Sequence, residues 1–371
     1  MAYRNSISGG GFDRWDKTAG ALDAGNIDSR RIAASFVACG IFYLSIYALE
    51  APIRYGLYLA GKDSLILLRD GLMIGPLALL CTAQAVQLRL HAAFLVSGIL
   101  VTFHGLVLMG TIGSIAGAAY GAKILMNLLF GFFAASLLIS PGDRILKVLA
   151  AIWLLIIVGV CLDKFVLTFP WTGIKTVIGD LNVDVSKDWQ IEDPLARRVA
   201  GFTRSSIAVA AVLPCLSIVL LFRPQRQRVG AAALSGGAVV LTTHTGSLLA
   251  FAPIAAILSQ APVGRLTRLR ICFVLFLAIA VGLPLLSGDL HMSHGDGVFS
   301  TESLYLRIAY TWPDAWHWIG RHQMLWFGVG LGGIGGPQRL YAPDSFNPTD
   351  NLFILLYAYF GVFAIAYGAL V

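Results

Sequence analysis

In SFNPTDNLFILLYAYFG, residues 345–361, a carboxylate at Asp350 closes a polar run and immediately precedes an apolar helix pattern. An acid at that threshold can take the proton of an attacking hydroxyl, a role that accelerates reactions by about 10²- to 10⁴-fold. A dry membrane threshold would raise its pKa. It can equally cap the helix that starts near Asn351 to Phe353, accepting backbone N–H bonds. Both roles are open to Asp350, with His322, His317 and Asp344 as other candidate bases, and Asn351 as the cap if Asp350 is catalytic. The second chemical set is Arg54, Arg69, Arg198, Arg204, Arg307 and Arg321. Guanidinium forks donate paired hydrogen bonds and suit a diphosphate. For each arginine singly, a salt bridge to a neighbouring acid is an equal explanation, so convergence of several is what would decide for a ligand.

Other residues carry weaker signals. FGVGLGGIGG, residues 327–336, is dense enough in glycine for tight turns or close approach to a ligand, but it lacks the terminal Gly-Lys-Ser/Thr of a phosphate loop. His244 interrupts an apolar segment and could face a cavity, since nonhelical backbone at membrane depth is tolerated where it is buried or lines water. His104, alone in an apolar stretch, reads as a satisfied core residue. No His-x-x-x-His, Cys-x-x-Cys or dense acidic set occurs, so neither a bound metal nor a cofactor is expected. His291 and His294, three apart in Gly-rich sequence, read as solvated. The five cysteines (Cys39, Cys81, Cys161, Cys215, Cys272) fall in apolar segments and read as buried thiols. Tyr305, Tyr310, Trp312, Trp316, Trp318, Trp326 and Phe327 argue against disorder in their loop. Its tryptophans suit a membrane interface, and a row of them could also stack on sugar rings.

What must position these residues is a bundle in a bilayer. The chain is 57% hydrophobic and 13% charged, with a mean hydropathy of +0.76, which excludes an ordinary soluble domain. Apolar stretches near 32–50, 66–87, 91–110, 121–140, 145–162, 205–222, 269–286 and 352–371 can each cross a hydrocarbon core of roughly 30 Å as a helix. Residues 229–260 are too long for one ordinary helix and are interrupted at TTHTG, so two short helices meeting there give about ten spans. Arg89, Arg144, Lys147, Arg223, Arg226, Arg228, Arg265, Arg268 and Arg270 then crowd the short connections on one side, against the single acid Asp143. That side is cytoplasmic by the positive-inside rule. The net charge of +7 reflects this sidedness and no nucleic-acid partner is expected. Residues 1–30 read as a disordered cytoplasmic tail, and residues 31–371 as a single transmembrane domain with an uncleaved first span. The opposite face receives residues 51–65 and two long loops, about 163–204 and 287–351; the longer is too long for a mere connector.

Three stretches resemble the O-antigen ligase and polymerase family of bacterial envelope polysaccharide enzymes. SLYLRIAYTW, with Ser303, Arg307 and Trp312, is followed by a glycine turn at Gly328, Gly330 and Gly332, spaced Gly-x-Gly-x-Gly, then by DNLFILLYAYFG. That last segment is similar to the family's His-Asn-x-Tyr-Leu segment. ARRVAGFTRSS, residues 196–206, resembles its Arg-x-x-Gly-Phe pattern, and EAPIRYGLYLAGKDSLILLRD, residues 50–70, the first outer loop of exopolysaccharide polymerases.

The resemblance implies an all-α polytopic, GT-C-like fold in the bacterial inner membrane with its site facing the periplasm. It implies polymerisation of lipid-linked oligosaccharide repeat units for exopolysaccharide, capsule or O-antigen. A glycan would pass from polyprenyl (undecaprenyl) diphosphate to a sugar hydroxyl, without metal. Asp350 would be the base, and Arg198, Arg204, Arg54 and Arg307 would hold the diphosphate, in that order, with Arg69, Arg321, His322, Asn351 and His244 also in the substrate site. Implied partners are the lipid-linked donor and acceptor, the bilayer, and a chain-length regulator or other polysaccharide-assembly proteins. Two positions depart from the pattern: Asp350 replaces the ligases' histidine, which favours a polymerase, and His244-Thr245-Gly246 stands where Ser-Arg-Gly or Ser-Lys-Gly is usual. Ligation to lipid A core or protein stays open as the nearest alternative. A lipid-linked glycan transporter would show matching broken helices in repeated halves, and a noncatalytic assembly subunit would not need the cations to converge. Members of the family continue for more helices beyond the point that Val371 reaches.

Overall fold

The computed structural model describes residues 27–86, 90, 92–137, 143–178, 181–187, 197–220, 225–260, 264–288, 290, 302–322 and 326–365. The expected tail lies outside these up to residue 26, as do Arg89, Arg223, His291 and His294, whereas residues 27–30 already belong to the first helix.

The molecule is mostly helical. Helices α1 (Ile27–Ala48), α2 (Glu50–Leu59), α3 (Gly71–Val86), α4 (Ala92–Thr111), α5 (Ile115–Leu137) and α6 (Asp143–Phe165) form the first half. After them come α7 (Ser206–Leu220), α8 (Gln225–Leu241), α9 (Thr245–Ser259) and α10 (Arg265–Leu285). Five stretches are long and apolar enough to cross a membrane: Arg31–Ala48, Asp63–Val86, Phe94–Thr111, Arg144–Phe165 and Thr267–Leu285. Large apolar side chains such as Ile99, Leu106 and Phe273 stand exposed on them, an arrangement that suits lipid and not water. The broken segment is, as expected, two helices: α8 and α9 meet at Thr242–His244, where Thr243 takes a φ of 52°.

Two buried clusters fix the ends that matter here. Leu149, Ile156, Val160, Val209, Leu213 and Val239 join α6, α7 and α8. Leu100, Leu125, Ile308, Ile319, Leu331 and Tyr359 join α4 and α5 to the chain after α10.

That later chain departs most from expectation. Residues 302–321 form a continuous helical run, α11 (Glu302–Leu306), a π-turn over Arg307–Thr311 and α12 (Trp312–Arg321), where a loop is expected. The glycine segment does not face a ligand. The Val329 amide donates to the Ala358 carbonyl at 2.7 Å and the Leu331 amide to the His104 carbonyl at 2.9 Å. A side chain on Gly330 would meet the Leu108 backbone at 2.4 Å, and one on Gly332 the Gly117 carbonyl at 2.1 Å. The close approach that glycine permits is made to helices α4, α5 and α13 (Leu352–Phe360). For the same reason the last span is interrupted. Helix α13 stops at Phe360 and a 3₁₀ turn follows over Gly361–Phe363, because Gly361, at a φ of 55°, lies against the Trp326 carbonyl.

Smaller differences have local causes. Residues 51–65 are largely helical, and within the loop expected over 163–204 strands β1 (Lys175–Ile178) and β2 (Leu181–Asp184) pair antiparallel. The five thiols are unpaired and partly exposed on helix surfaces, Cys215 the most, where buried ones are expected. His104 is fully buried, as expected, with its ring edge-on to Phe360 at a centroid distance of 4.9 Å, but it is not satisfied: neither ring nitrogen has a hydrogen-bond partner among the described residues.

Candidate functional site

Asp350 does not cap α13. The side-chain oxygen of Asn351 accepts from the Phe353 and Ile354 amides at 2.8 and 3.2 Å, and its NH₂ donates to the Ala280 carbonyl at 2.9 Å. Asn351, expected among the substrate contacts, thus has its carboxamide committed to the fold. Asp350 is left with its side chain 45% exposed, outside the dry setting expected for it, and Arg307 Nε and Nη2 each donate to Oδ2 at 3.4 Å. The turn that presents it is over-determined. Asn347 donates to the Thr311 carbonyl at 2.7 Å and accepts from the Thr349 amide at 2.7 Å, while the buried Gln338 accepts from the Asn347 amide at 3.0 Å. These bonds hold Thr349 at a φ of 60° and Asp350 at 44°. Backbone in this region costs roughly 1–3 kcal/mol for a residue other than glycine and persists only when its surroundings enforce it.

Arg198 and Arg204 are positioned by a clamp that no single motif announces. Asp163, near the end of α6, receives Arg197 Nη2 at 2.6 Å and the Gly201 amide at 2.9 Å. Lys164 donates to the Arg197 carbonyl at 3.1 Å. Gly201, at a φ of 61°, lies so close to Gly159 of α6 that no side chain would fit. The segment after the clamp carries Arg198 and Arg204, for which no carboxylate partner occurs among the described residues, and the Arg198 Nε is buried without a hydrogen bond. The Lys187 amide donates to the Arg204 carbonyl at 2.7 Å, tying the end of the β1–β2 region to the same segment.

Charge converges across these elements. Burial first, and then the guanidinium groups of Arg307 and Arg198, hold the His244 imidazole below its ordinary value, and Asp350 acts on it in the opposite sense. Burial likewise pushes the Lys187 ammonium down; Asp184 and Asp350 oppose this, and Arg339 and Arg204 add to it. Arg54 is lowered by burial and by Arg204, against the pull of Glu50. Arg54 of α2, Lys187, Arg198 and Arg204, His244 at the α8–α9 tip, Arg307 and Asp350 are therefore linked through their charges at one end of the bundle.

The remaining predicted residues divide. Glu50, 3% exposed, bridges Arg54 at 2.7 Å and Arg69 at 2.6 Å, and Arg69 also lies over the Tyr43 ring at 5.3 Å. Both arginines thus carry the salt bridge that was one explanation for each, and the charge of Arg204 also acts on Arg54. Arg321 and His322 sit at the far end of α12; Arg321 lines a separate cavity with Asp314 and Asp344, and the His322 Nδ1 pairs with the Trp318 carbonyl at 2.9 Å. The tryptophans form no row: Trp312 is buried, Trp316 donates to the Pro284 carbonyl at 3.0 Å and Trp318 to the Gly333 carbonyl at 2.8 Å.

Comparison with family models, curated proteins and solved structures finds no match.

The functional reading therefore rests on residues and their arrangement. Reasoning from sequence missed Lys187, Asp163 and Glu50 as parts of this end of the molecule. Asp163 left a signal, an acid within the last turn of a strongly apolar helix, where an unpaired charge is costly. Lys187 left none, because its place depends on the turn that follows β2.

Proposed function

We propose that the chain is a membrane glycosyltransferase that polymerises lipid-linked oligosaccharide repeat units, transferring a glycan from polyprenyl diphosphate to a sugar hydroxyl at the extracytoplasmic face of a bacterial inner membrane. The observation that carries this reading is the excess of cations around one accessible carboxylate. Arg307 and Arg198 act with Asp350 on the neutral His244, Arg204 acts with Asp184 and Asp350 on Lys187, and Arg198 and Arg204 have no carboxylate partner among the described residues. Such a set suits a ligand that brings its own negative charge.

In this mechanism the acceptor hydroxyl oxygen attacks the anomeric carbon and gives its proton to Asp350. The bond from that carbon to the diphosphate oxygen breaks, and the leaving diphosphate keeps the electron pair. Arg198 and Arg204 stabilise the charge that grows on it, which is electrostatic stabilisation aimed at the transition state. Arg307 holds the carboxylate toward the acceptor, and Arg54 extends the positive field. Ten helical spans with the basic connections in the cytoplasm would put this end of the bundle outside. The test is incubation of the purified protein with lipid-linked repeat units, reading product length by gel. A ladder made by the protein and abolished in Asp350→Asn supports the reading. Unextended units with the intact protein, or an unchanged ladder with the variant, would remove it.

A further inference from the structure

A cavity of about 390 Å³ lies against α12, within the size range of small-ligand sites. Asp314, His317, Trp318 and Arg321 fall at helical spacing i, i+3, i+4 and i+7, so one face of α12 supplies half of the lining. Asp344 and Phe346 face them from the segment that leads to Asp350. The walls are held from outside the cavity. The Trp318 indole is fixed by its bond to the Gly333 carbonyl at 2.8 Å, and the Arg339 guanidinium lies 4.1 Å from the Phe346 ring centroid. The groups around those walls are not so committed. Among the described residues no hydrogen bond or ion pair holds the side chain of Asp314, His317, Arg321 or Asp344.

Fixed aromatic faces ringed by unengaged donors and acceptors match a ligand with a flat apolar surface and a polar edge. A pyranose has that form: its C–H face buries against a ring, and its hydroxyls satisfy carboxylates, imidazole and guanidinium at once. Two carboxylates within the set disfavour an acidic sugar. We propose that this cavity is a saccharide-binding subsite for a neutral or amino pyranose of the glycan; the choice of a sugar over another hydroxylated ligand rests on the transferase reading above.

The test uses the full chain in detergent, applied to an array of neutral, amino and acidic pyranose mono- and oligosaccharides. Retention on neutral or amino sugars is expected, and Asp314→Asn with Asp344→Asn should weaken it by about tenfold or more, each lost hydrogen bond to a charged group contributing at that scale. His317→Ala supplies a second, independent reduction. Failure to be retained on any sugar, or retention that neither Asp314→Asn/Asp344→Asn nor His317→Ala weakens, overturns the proposal. Binding on the array without any polymer product would remove the transferase reading and leave the subsite; polymer product without binding on the array would do the reverse.

Discussion

The Arg307 guanidinium donates to the Asp350 carboxylate at 3.4 Å across 43 residues of chain, and the two arrive there from different elements. Arg307 opens the π-turn between α11 and α12, whereas Asp350 ends a strained turn that the Asn351 cap separates from α13. A helix cap would have needed Asp350 in extended backbone with its oxygen on the amides of the first turn. In the proposed reaction, the carboxylate, freed from that task, would take the proton of the incoming hydroxyl.

Asp350→Asn should therefore leave the fold intact, since Asn351 still caps α13, and lower glycan transfer by about 10²- to 10⁴-fold. Thermal stability in detergent and polymer length from lipid-linked units separate the two effects. Asn351→Ala should show the opposite pattern, with stability falling by about 1 kcal/mol and transfer lowered only as far as α13 shifts.

Arg198→Ala with Arg204→Ala should weaken donor binding without much change in thermal midpoint, because neither side chain neutralises a carboxylate among the described residues. Charge-assisted hydrogen bonds contribute about 1.5–3 kcal/mol each, so the lipid-linked donor should bind at least tenfold more weakly. Raising salt should blunt the difference, since partly exposed charges are screened. Unchanged donor affinity in the double variant would withdraw both residues from the site.

The His244 imidazole offers a test of the convergence that needs no substrate. Its value is depressed from the ordinary 6.5, first by burial and then by Arg307 and Arg198. The neutral form is thus favoured in the fold: its contribution to stability is complete above about pH 6.5 and is lost as pH falls below that toward the depressed value. Arg198→Ala and Arg307→Ala should each raise the histidine's midpoint, and Asp350→Asn should lower it further. Nitrogen NMR of labelled histidine reads all three, and a midpoint indifferent to these replacements would mean the charges do not share one site.

Much of the helical layout was legible because a run of apolar residues states its own length. Helices α1, α4, α6 and α10 lie where their apolar stretches predict, and the polar run Thr242 to Thr245 forecasts the break between α8 and α9. The glycine segment makes the tight turns that were one of its two readings, but its packing partner was not legible, because glycine reports only that something comes close. Whether a ligand or a helix fills that space is decided by residues far away, here His104 and Leu108 on α4. The same limit hid Lys187.

Gly330 shows how strongly that distant packing is enforced. It holds a φ of 105°, and a methyl group there would stand 2.4 Å from the Leu108 amide nitrogen and 2.9 Å from the His104 carbonyl oxygen. Backbone at helix-packing distance cannot yield as a flexible side chain can, so Gly330→Ala must separate the segment from α4 and break the Leu331-to-His104 hydrogen bond. Left without a partner away from water, that amide and carbonyl cost about 1–3 kcal/mol, to which the unfavourable φ adds roughly another 1 kcal/mol or more. The variant should lose several degrees of thermal midpoint in detergent. Because the segment also contacts α13 through Val329 and Ala358, the loss should extend to the turn that holds Asp350, and transfer should fall together with stability. Gly131→Ala, on α5 with open space around its backbone, is the control: it should match or exceed the parent in stability, as alanine does at unconstrained helical sites.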